Sequence, residues 1–283
     1  MPYAQDWSPF ETVIFDCDST LSTVEGIDEL ARWAGKEAEV AALTDRAMNG
    51  ELPLEQVYTR RLEMINATRE NVERLAQLYR DTLVADARDV IGALQADGRQ
   101  VFIVSGGLAK GVRDFGVWLG VPEERIHAVE LEYNQLAGNW WETWRHPAGR
   151  NLNEQILGHD GGPLTIGRGK AEIIRRLRGS APGRAMLIGD GGSDLEASEA
   201  VDLFVGFGGV VARPKVAAGA RVFVRAATLA PILPLALARP EGPTGYSELF
   251  ARGVAAVADP ASVVFQHAEL RAAALRRMGL AAA

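Results

Sequence analysis

Four aspartates and one serine stand where short apolar segments of this sequence give way to polar, glycine-rich ones. They are Asp16, Asp18, Ser105, Asp190 and Asp194. Gathering several carboxylates in one place requires a cation, and oxygen-only ligands favour a hard metal ion, most simply Mg²⁺. A lysine, Lys170, would add a compact positive charge. The sequence therefore predicts a site for an anionic substrate, with phosphate as the leading candidate.

A phosphate ester bound at such a site could be hydrolysed through a covalent intermediate. A carboxylate such as Asp16 can attack phosphorus and form an aspartyl-phosphate. Asp18 could protonate the leaving alcohol and then activate the hydrolytic water. Ser105 and nearby backbone amides would hold the phosphoryl oxygens, while the metal offsets the repulsion between carboxylate and phosphate. Asp190 would bind the metal, and Asp194 would bind it or orient the other groups.

Three apolar segments predict the strands that would position these residues. They cover 12–15, 101–104 and 185–188, and each ends at a polar turn. Strands that alternate with helical patterns indicate an α/β fold, a mainly parallel sheet with helices on both faces. In such sheets, ligands bind beyond the carboxyl ends of the strands. The same ends carry the candidate residues.

The chain also divides by pattern along its length. Residues 22–85 are helical and charged, and they are too long for one crossover, so we predict an inserted helical cap. The catalytic core would comprise 1–21 and 86–239. Residues 240–283 are Ala-rich and predict a C-terminal helical extension. Two alternatives stay open for this extension: a contact in a homodimer or with another partner, or a helix packed on the core.

A hairpin is predicted between the second and third of these strands. Residues 126–133 alternate between apolar and polar types, and a turn-like NQLAGN leads to WWETW. The glycine- and proline-rich stretch 146–169 predicts a loop.

The composition excludes several classes of protein. The 283 residues are 47% hydrophobic and 24% charged, which allows a buried core and excludes general disorder. No run of about 18 uncharged apolar residues is present, so we expect no membrane partner. The net charge of -7 argues against nucleic acid as a partner. A single cysteine and the absence of a signal-peptide pattern predict a cytoplasmic protein.

Four ordered motifs carry a resemblance to a known family. FDCDSTL, VSGG, GRGK and GDGGSD resemble the motifs of the haloacid dehalogenase superfamily. DCDSTLSTVEGIDELA, RAMNGELPLEQVYTRRL and DLFVGFGG are similar to the phosphoserine phosphatases within it, and the similarity covers roughly residues 10 to 225. The resemblance implies a Rossmann-like, three-layer core with a helical cap. It also implies Mg²⁺-dependent hydrolysis of L-phosphoserine, the last step of serine synthesis.

The resemblance further implies roles for individual residues. The catalytic residues would be Asp16 as nucleophile, Asp18 as acid and base, and Lys170. The phosphate would be bound by Ser105, Gly106 and Lys170. The metal would be held by Asp16, the backbone carbonyl of Asp18, Asp190 and Asp194.

The remaining implied residues would bind the rest of the substrate. Glu25 aligns with the residue that receives the amino group of serine, and a carboxylate suits an ammonium. Arg61 aligns with the residue that receives the carboxylate, which a guanidinium can bind bidentately. Met48 falls in the cap segment that lines the site. Ser193 stands where the family usually has Asn or Thr and keeps a hydroxyl.

Two alternatives remain beside this reading. Leu54 stands where the family usually has an aromatic residue, and residues 139–162 do not follow the family pattern. These departures leave open a phosphatase for another small phosphometabolite. A non-catalytic binding protein on the same fold is the second alternative, and the complete set of motif residues argues against it. In either enzyme reading the partner is a small phosphomonoester.

Overall fold

A seven-stranded sheet forms the centre of the protein. The computed structural model describes residues 7–48, 54–136, 141, 153–166, 168–180 and 183–280. In spatial order, the strands of the sheet are β3 (Ile126–Val129), β2 (Gln100–Leu108), β1 (Thr12–Phe15), β6 (Ala185–Gly189), β7 (Leu203–Phe207), β8 (Val222–Val224) and β9 (Val263–Phe265). Neighbouring strands run parallel except for the antiparallel pair β8 and β9. The predicted α/β fold with a mainly parallel sheet is confirmed.

Helices cover both faces of the sheet. They are α1 (Gly26–Trp33), α2 (Glu37–Met48), α3 (Leu54–Ile65), α4 (Arg69–Asp81), α5 (Ala87–Ala96), α6 (Ala109–Trp118), α7 (Gly169–Ser180), α8 (Gly192–Ala197), α9 (Pro214–Gly219), α10 (Ile232–Leu237), α11 (Ser247–Ala258) and α12 (Ala268–Arg277). Strand β1 shows the two faces directly. Val13 and Phe15 belong to one apolar cluster and Ile14 to the other, because successive side chains of a strand point to opposite sides.

Four helices, α1 to α4, lie between β1 and α5, in the stretch predicted as an inserted cap. The division into cap, core and extension stays a prediction. Helix α4 begins with a capping box, in which the side chains and backbone of Thr68 and Asn71 bond each other reciprocally. Its buried face, which includes Leu75 and Tyr79, belongs to the larger apolar cluster. This packing brings Tyr79 toward the end of β1.

The predicted hairpin differs from the observed one. Residues 126–133 split into β3, which joins the main sheet, and β4 (Leu131–Tyr133), which pairs antiparallel with β5 (Ile156–His159). Strand β5 lies in the stretch 146–169, which the sequence predicts as a loop. The glycines and prolines of that stretch outweigh the signal of one short apolar run. The predicted partner WWETW lies outside the described residues except for Trp141.

The C-terminal extension contains a strand as well as helices. Strand β9 lies between α11 and α12 and adds an antiparallel edge to the main sheet. Leu249, Val257 and Leu275 of the extension are buried in the larger core cluster. The extension therefore packs on the core. Within the described parts of the chain, we find no helix with the length and apolar character needed to cross a bilayer.

Candidate active site

The carboxyl ends of β1, β2 and β6 bring the predicted residues to one edge of the sheet. Phe15 and Ile188 are paired in register, so Asp16 and Asp190 leave the sheet close to each other. Ser105 lies on the other side of β1, in the last part of β2, and is fully buried. The edge predicted from the three apolar segments is thus the edge at which these side chains meet.

Lys170 lies between two of the aspartates. Its Nζ atom is 3.1 Å from Asp16 Oδ2 and 2.7 Å from Asp194 Oδ1, and the three residues are at most 8% exposed. Burial alone would lower the pKa of Lys170, but the two carboxylates outweigh it and hold the pKa above its usual value. The lysine therefore carries a fixed positive charge at the centre of the site.

Asp194 has both carboxylate oxygens engaged. Oδ1 accepts from Lys170, and Oδ2 accepts from the backbone N–H of Gly191 at 3.0 Å. Burial, followed by the charge of Asp16, raises the pKa of Asp194, while Lys170 opposes the shift. The glycine at position 189 leaves room for the Asp194 carboxylate, since a Cβ there would lie 2.2 Å from the Asp194 carboxyl carbon. The arrangement suits an orienting role toward Lys170.

Three buried aspartates could hold a metal ion. Carboxylate oxygens of Asp16, Asp190 and Asp194 lie within 4.8 Å of one another. Burial, followed by the charge of Asp16, raises the pKa of Asp190 to about 6, and a bound cation would favour its charged form. An oxygen-only set of this kind fits a hard cation. Among the described residues, the side chain of Asp18 is not part of this cluster.

The carboxylate of Asp18 is held by groups from α1 and α4. Its Oδ1 accepts from the backbone N–H of Gly26 at 2.9 Å and from the Tyr79 hydroxyl at 2.7 Å. A Cβ at Gly26 would lie 2.1 Å from the Tyr79 oxygen, so glycine is required. Burial, followed by the charge of Asp16, raises the pKa of Asp18 to about 6. Both protonation states are therefore accessible near neutral pH, as a general acid and base requires.

Glu25 lies just before α1 and is joined to the aspartate cluster by an arginine. Its Oε1 accepts from the Ser19 hydroxyl at 3.0 Å and from Arg213 Nη2 at 3.0 Å. Arg213 Nε donates to Asp190 Oδ2 at 2.9 Å. Burial, followed by the charge of Asp18, raises the pKa of Glu25 to about 7, while Arg213 opposes the shift. A further cation at Glu25 would favour its charged form.

The structure describes the side chains of only some of the other residues predicted to bind the substrate. Arg61 lies on α3, and its Nε is buried with no hydrogen-bond partner among the described residues. Such a group fits a guanidinium whose partner is a ligand. Ser193 lies in the first turn of α8 and is half-buried. Met48 ends α2, and its side chain lies outside the described part of the chain, as does that of Leu54.

Comparison with known sequences decides the family. Residues 10–202 match the profile described as haloacid dehalogenase-like hydrolase. The chain belongs to this family. The mouse phosphoserine phosphatase is 34% identical to this hydrolase over 216 residues, which are 76% of this chain and 88% of the mouse protein. The resemblance predicted from the ordered motifs is confirmed.

Solved structures agree with this assignment. The hydrolase superimposes on a phospho-aspartyl intermediate analogue of a phosphoserine phosphatase with a TM-score of 0.64 and 26% identity, covering 80% of this chain and 98% of that one. It also matches DsGPDH of Dunaliella salina with a TM-score of 0.65 and 29% identity. That match covers 83% of this chain but only 37% of the algal protein, so the similarity concerns one part of the latter.

The sequence left several contacts of this hydrolase unpredicted. They are made by Thr20, which donates to Asp190, and by Tyr58, Tyr79 and Arg213. Arg213 follows β7 and its glycine-rich end, so the rule that ligand sites lie beyond strand ends could have found it. Tyr79 carries no local signal, because only the packing of α4 brings it to Asp18.

Proposed function

We propose that this hydrolase converts L-phosphoserine to L-serine and phosphate, with Mg²⁺ as cofactor and an aspartyl-phosphate on Asp16 as intermediate. The observation that carries the proposal is the buried cluster in which Lys170 contacts Asp16 and Asp194 beside Asp190. The similarity to the mouse phosphoserine phosphatase supports the choice of substrate.

The reaction would proceed in two displacements at phosphorus. In the first, a carboxylate oxygen of Asp16 attacks phosphorus, the bond to the serine oxygen breaks, and Asp18 gives that oxygen a proton. In the second, Asp18 takes a proton from water as the water oxygen attacks phosphorus, and the bond to Asp16 breaks. The pKa of about 6 suits Asp18 to both steps, since it must give and then recover one proton.

Fixed charges and donors would stabilise the transferring phosphoryl group. The ammonium of Lys170 is already in place and needs no reorganisation during the reaction. The hydroxyl of Ser105 and the exposed backbone of Gly106 would bind phosphoryl oxygens. Mg²⁺, held by Asp16, Asp190 and the backbone carbonyl of Asp18, would offset the repulsion between carboxylate and phosphate. Asp194 would act on this set mainly by orienting Lys170.

The serine part of the substrate would be recognised by charge. The Glu25 carboxylate would receive the ammonium, and the guanidinium of Arg61 would receive the carboxylate in a bidentate pair. Ser193 and Met48 would complete the binding surface. We further propose a cytoplasmic enzyme with no nucleic-acid or membrane partner. A homodimer stays an open prediction.

The proposal is tested by measuring phosphate release from a panel of small phosphomonoesters in the presence of Mg²⁺. We expect the highest kcat/KM for L-phosphoserine. Activity confined to another phosphomonoester would keep the mechanism and reject the substrate. No activity on any of them would favour the binding-protein alternative.

Removal of the metal is expected to abolish turnover. Dialysis against EDTA should lower the rate by at least about 100-fold, because the carboxylate and phosphate charges would then repel each other unopposed. Added Mg²⁺ should restore the rate. Asp190→Asn should raise the Mg²⁺ concentration needed for half-maximal rate, whereas the exposed Asp28→Asn should not. Full activity after exhaustive chelation would contradict the proposed cofactor.

Glu25→Gln is expected to weaken selectivity for the ammonium group alone. We expect kcat/KM to fall about 10- to 100-fold for phosphoserine and phosphoethanolamine, which both carry an ammonium, since a charged hydrogen bond contributes about 1.5–3 kcal/mol. The value for 3-phosphonooxypropanoate, which lacks the ammonium, should change little. Equal losses on all three substrates would instead assign Glu25 a general structural role through Arg213.

A further inference from the structure

Tyr58 connects helix α3 to Ser105–Gly107, the part of β2 where its pairing with β3 is interrupted. Ser105 and Gly106 are predicted to bind the phosphate, and we call this segment the phosphate loop. Its side chain is 9% exposed, and its hydroxyl donates to the carbonyl oxygen of Gly106 at 3.1 Å. The two residues are 48 positions apart, so the contact joins the cap segment to the end of β2. Burial raises the pKa of Tyr58 well above its usual value, and the hydroxyl stays a donor throughout the neutral range.

The Tyr58 contact holds one peptide group of the phosphate loop at one end. That peptide links Gly106 to Gly107, and its N–H donates to Ser105 Oγ at 3.0 Å at the other end. A peptide group is planar, so fixing its carbonyl also fixes its N–H. Because Ser105 Oγ accepts this bond, its own hydrogen is free to be donated to a ligand. Between two glycines, few other constraints would set this orientation.

The ring of Tyr58 has a second set of contacts. The Arg61 guanidinium carbon lies 5.8 Å from the ring centroid, within the range of a cation–π interaction. On another side, the ring meets His159 of β5 edge-on, with centroids 5.3 Å apart. One aromatic side chain therefore contacts both the residue predicted to bind the substrate carboxylate and the loop predicted to bind the phosphate.

His159 is itself fixed in one tautomer. Its Nδ1 accepts from the backbone N–H of Gly161 at 3.1 Å, so the hydrogen of the neutral ring is on Nε2. Nε2 then donates to Thr59 Oγ1 at 3.0 Å, next to Tyr58 on α3. The hairpin β4–β5 thus supports the Tyr58 ring through the edge-on contact of His159.

We propose that Tyr58 is a positioning residue that sets the donor geometry of the Ser105–Gly107 loop through its hydroxyl and the placement of Arg61 through its ring. The inference rests on the proposed function for the roles of Ser105 and Arg61. It goes beyond that function because it ties recognition of the substrate carboxylate to the geometry of the phosphate loop.

The two parts of Tyr58 can be separated by two substitutions. Tyr58→Phe removes the hydroxyl and keeps the ring, and Tyr58→Leu removes both. For Tyr58→Phe, we expect inorganic phosphate to bind about 3- to 10-fold more weakly, in line with the loss of one neutral hydrogen bond. The ratio of kcat/KM for phosphoserine over phosphoethanolamine should stay unchanged. For Tyr58→Leu, that ratio should also fall about 2- to 5-fold, because Arg61 loses its aromatic support.

Calorimetric titration with inorganic phosphate in the presence of Mg²⁺ gives the decisive measurement. It needs no turnover, so it tests Tyr58 even if the enzyme prefers another phosphomonoester. Tyr246→Phe is the matched control, because its hydroxyl lies beside Gly92, outside the site. Unchanged phosphate binding in Tyr58→Phe would overturn the proposal, as would a wild-type chain that binds no phosphate. An equal loss in Tyr58→Phe and Tyr246→Phe would also overturn it.

Discussion

Asp16→Asn is expected to lower the rate of phosphoserine hydrolysis by at least about 10⁴-fold, the scale seen when a covalent nucleophile is removed. The carboxamide is nearly isosteric with the carboxylate but is a poor nucleophile toward phosphorus. Lys170 keeps its second partner, Asp194, so the cluster should remain folded. Steady-state phosphate release, extended to long times and high enzyme concentration, measures the residual rate.

The fold and the binding site must be checked beside this rate. Asp28→Asn makes the same chemical change at an exposed position of α1 and should retain full activity. The melting temperature of Asp16→Asn should stay close to that of the wild type. A variant that is folded and keeps more than a small fraction of the activity would reject Asp16 as the nucleophile.

Lys170→Met is expected to produce the largest loss of stability of any substitution in the site. Methionine has a similar length but no charge, so Asp16 and Asp194 would face each other without a cation. Removing one partner of a buried ion pair destabilises proteins by about 3–5 kcal/mol, and two carboxylates depend on this lysine. Urea unfolding at neutral pH measures the change in free energy. Turnover should fall as well, because the fixed charge at the phosphoryl site is gone.

The pH dependence of this loss identifies its origin. Burial already raises the pKa of Asp194, and Lys170 is the group that opposes the shift, so the variant should raise that pKa further. Between the unfolded pKa of about 4 and the folded one, the native variant binds more protons than the unfolded chain. Its stability should therefore fall as pH rises through this window. Because the pKa of Asp194 is already about 8 in the wild type, the deficit relative to the wild type should widen only above about pH 8.

The exposed Lys215→Met serves as the control for removing a lysine, and it should leave both stability and pH dependence unchanged. A deficit in Lys170→Met that is the same at pH 7 and pH 9 would show that lost packing, rather than unpaired charge, causes it.

The strands at the centre of the sheet were predictable because their signals are local. The buried run ending at Asp16 and the run ending at Gly189 are apolar on both faces, as strands covered on two sides must be. Strand β5 was missed because its partner lies more than twenty residues away. A four-residue strand within a glycine-rich stretch has no local pattern that separates it from a loop. The short β9, Val263–Phe265, was missed because its three residues stand in a tail whose Ala-rich pattern predicts helix.

The candidate site also contains residues that local sequence patterns predict and residues that they do not. The aspartates follow strands and are reachable from the sequence, because parallel strands end at one edge. The partners that tune them come from elements whose packing is not local. Tyr79 reaches Asp18 from α4. Arg213 joins Asp190 to Glu25, which lies 188 positions before Arg213 in the chain. Sequence patterns predict which groups react, whereas tertiary packing brings in the groups that shift the pKa values of those groups.

The edge strand β9 also covers the backbone of β8, which would otherwise be open to pairing with another chain. It pairs with β8, a strand whose three residues are all buried and apolar. Both outer strands of the sheet are short, and such edges offer little unpaired backbone for aggregation. A chain shortened at Arg239 would lose β9 and α11. The backbone of β8 would then be unpaired, and the apolar surface beneath α11 would be exposed. Self-association of such a chain would therefore result from the exposed strand edge and apolar surface rather than from a native subunit contact.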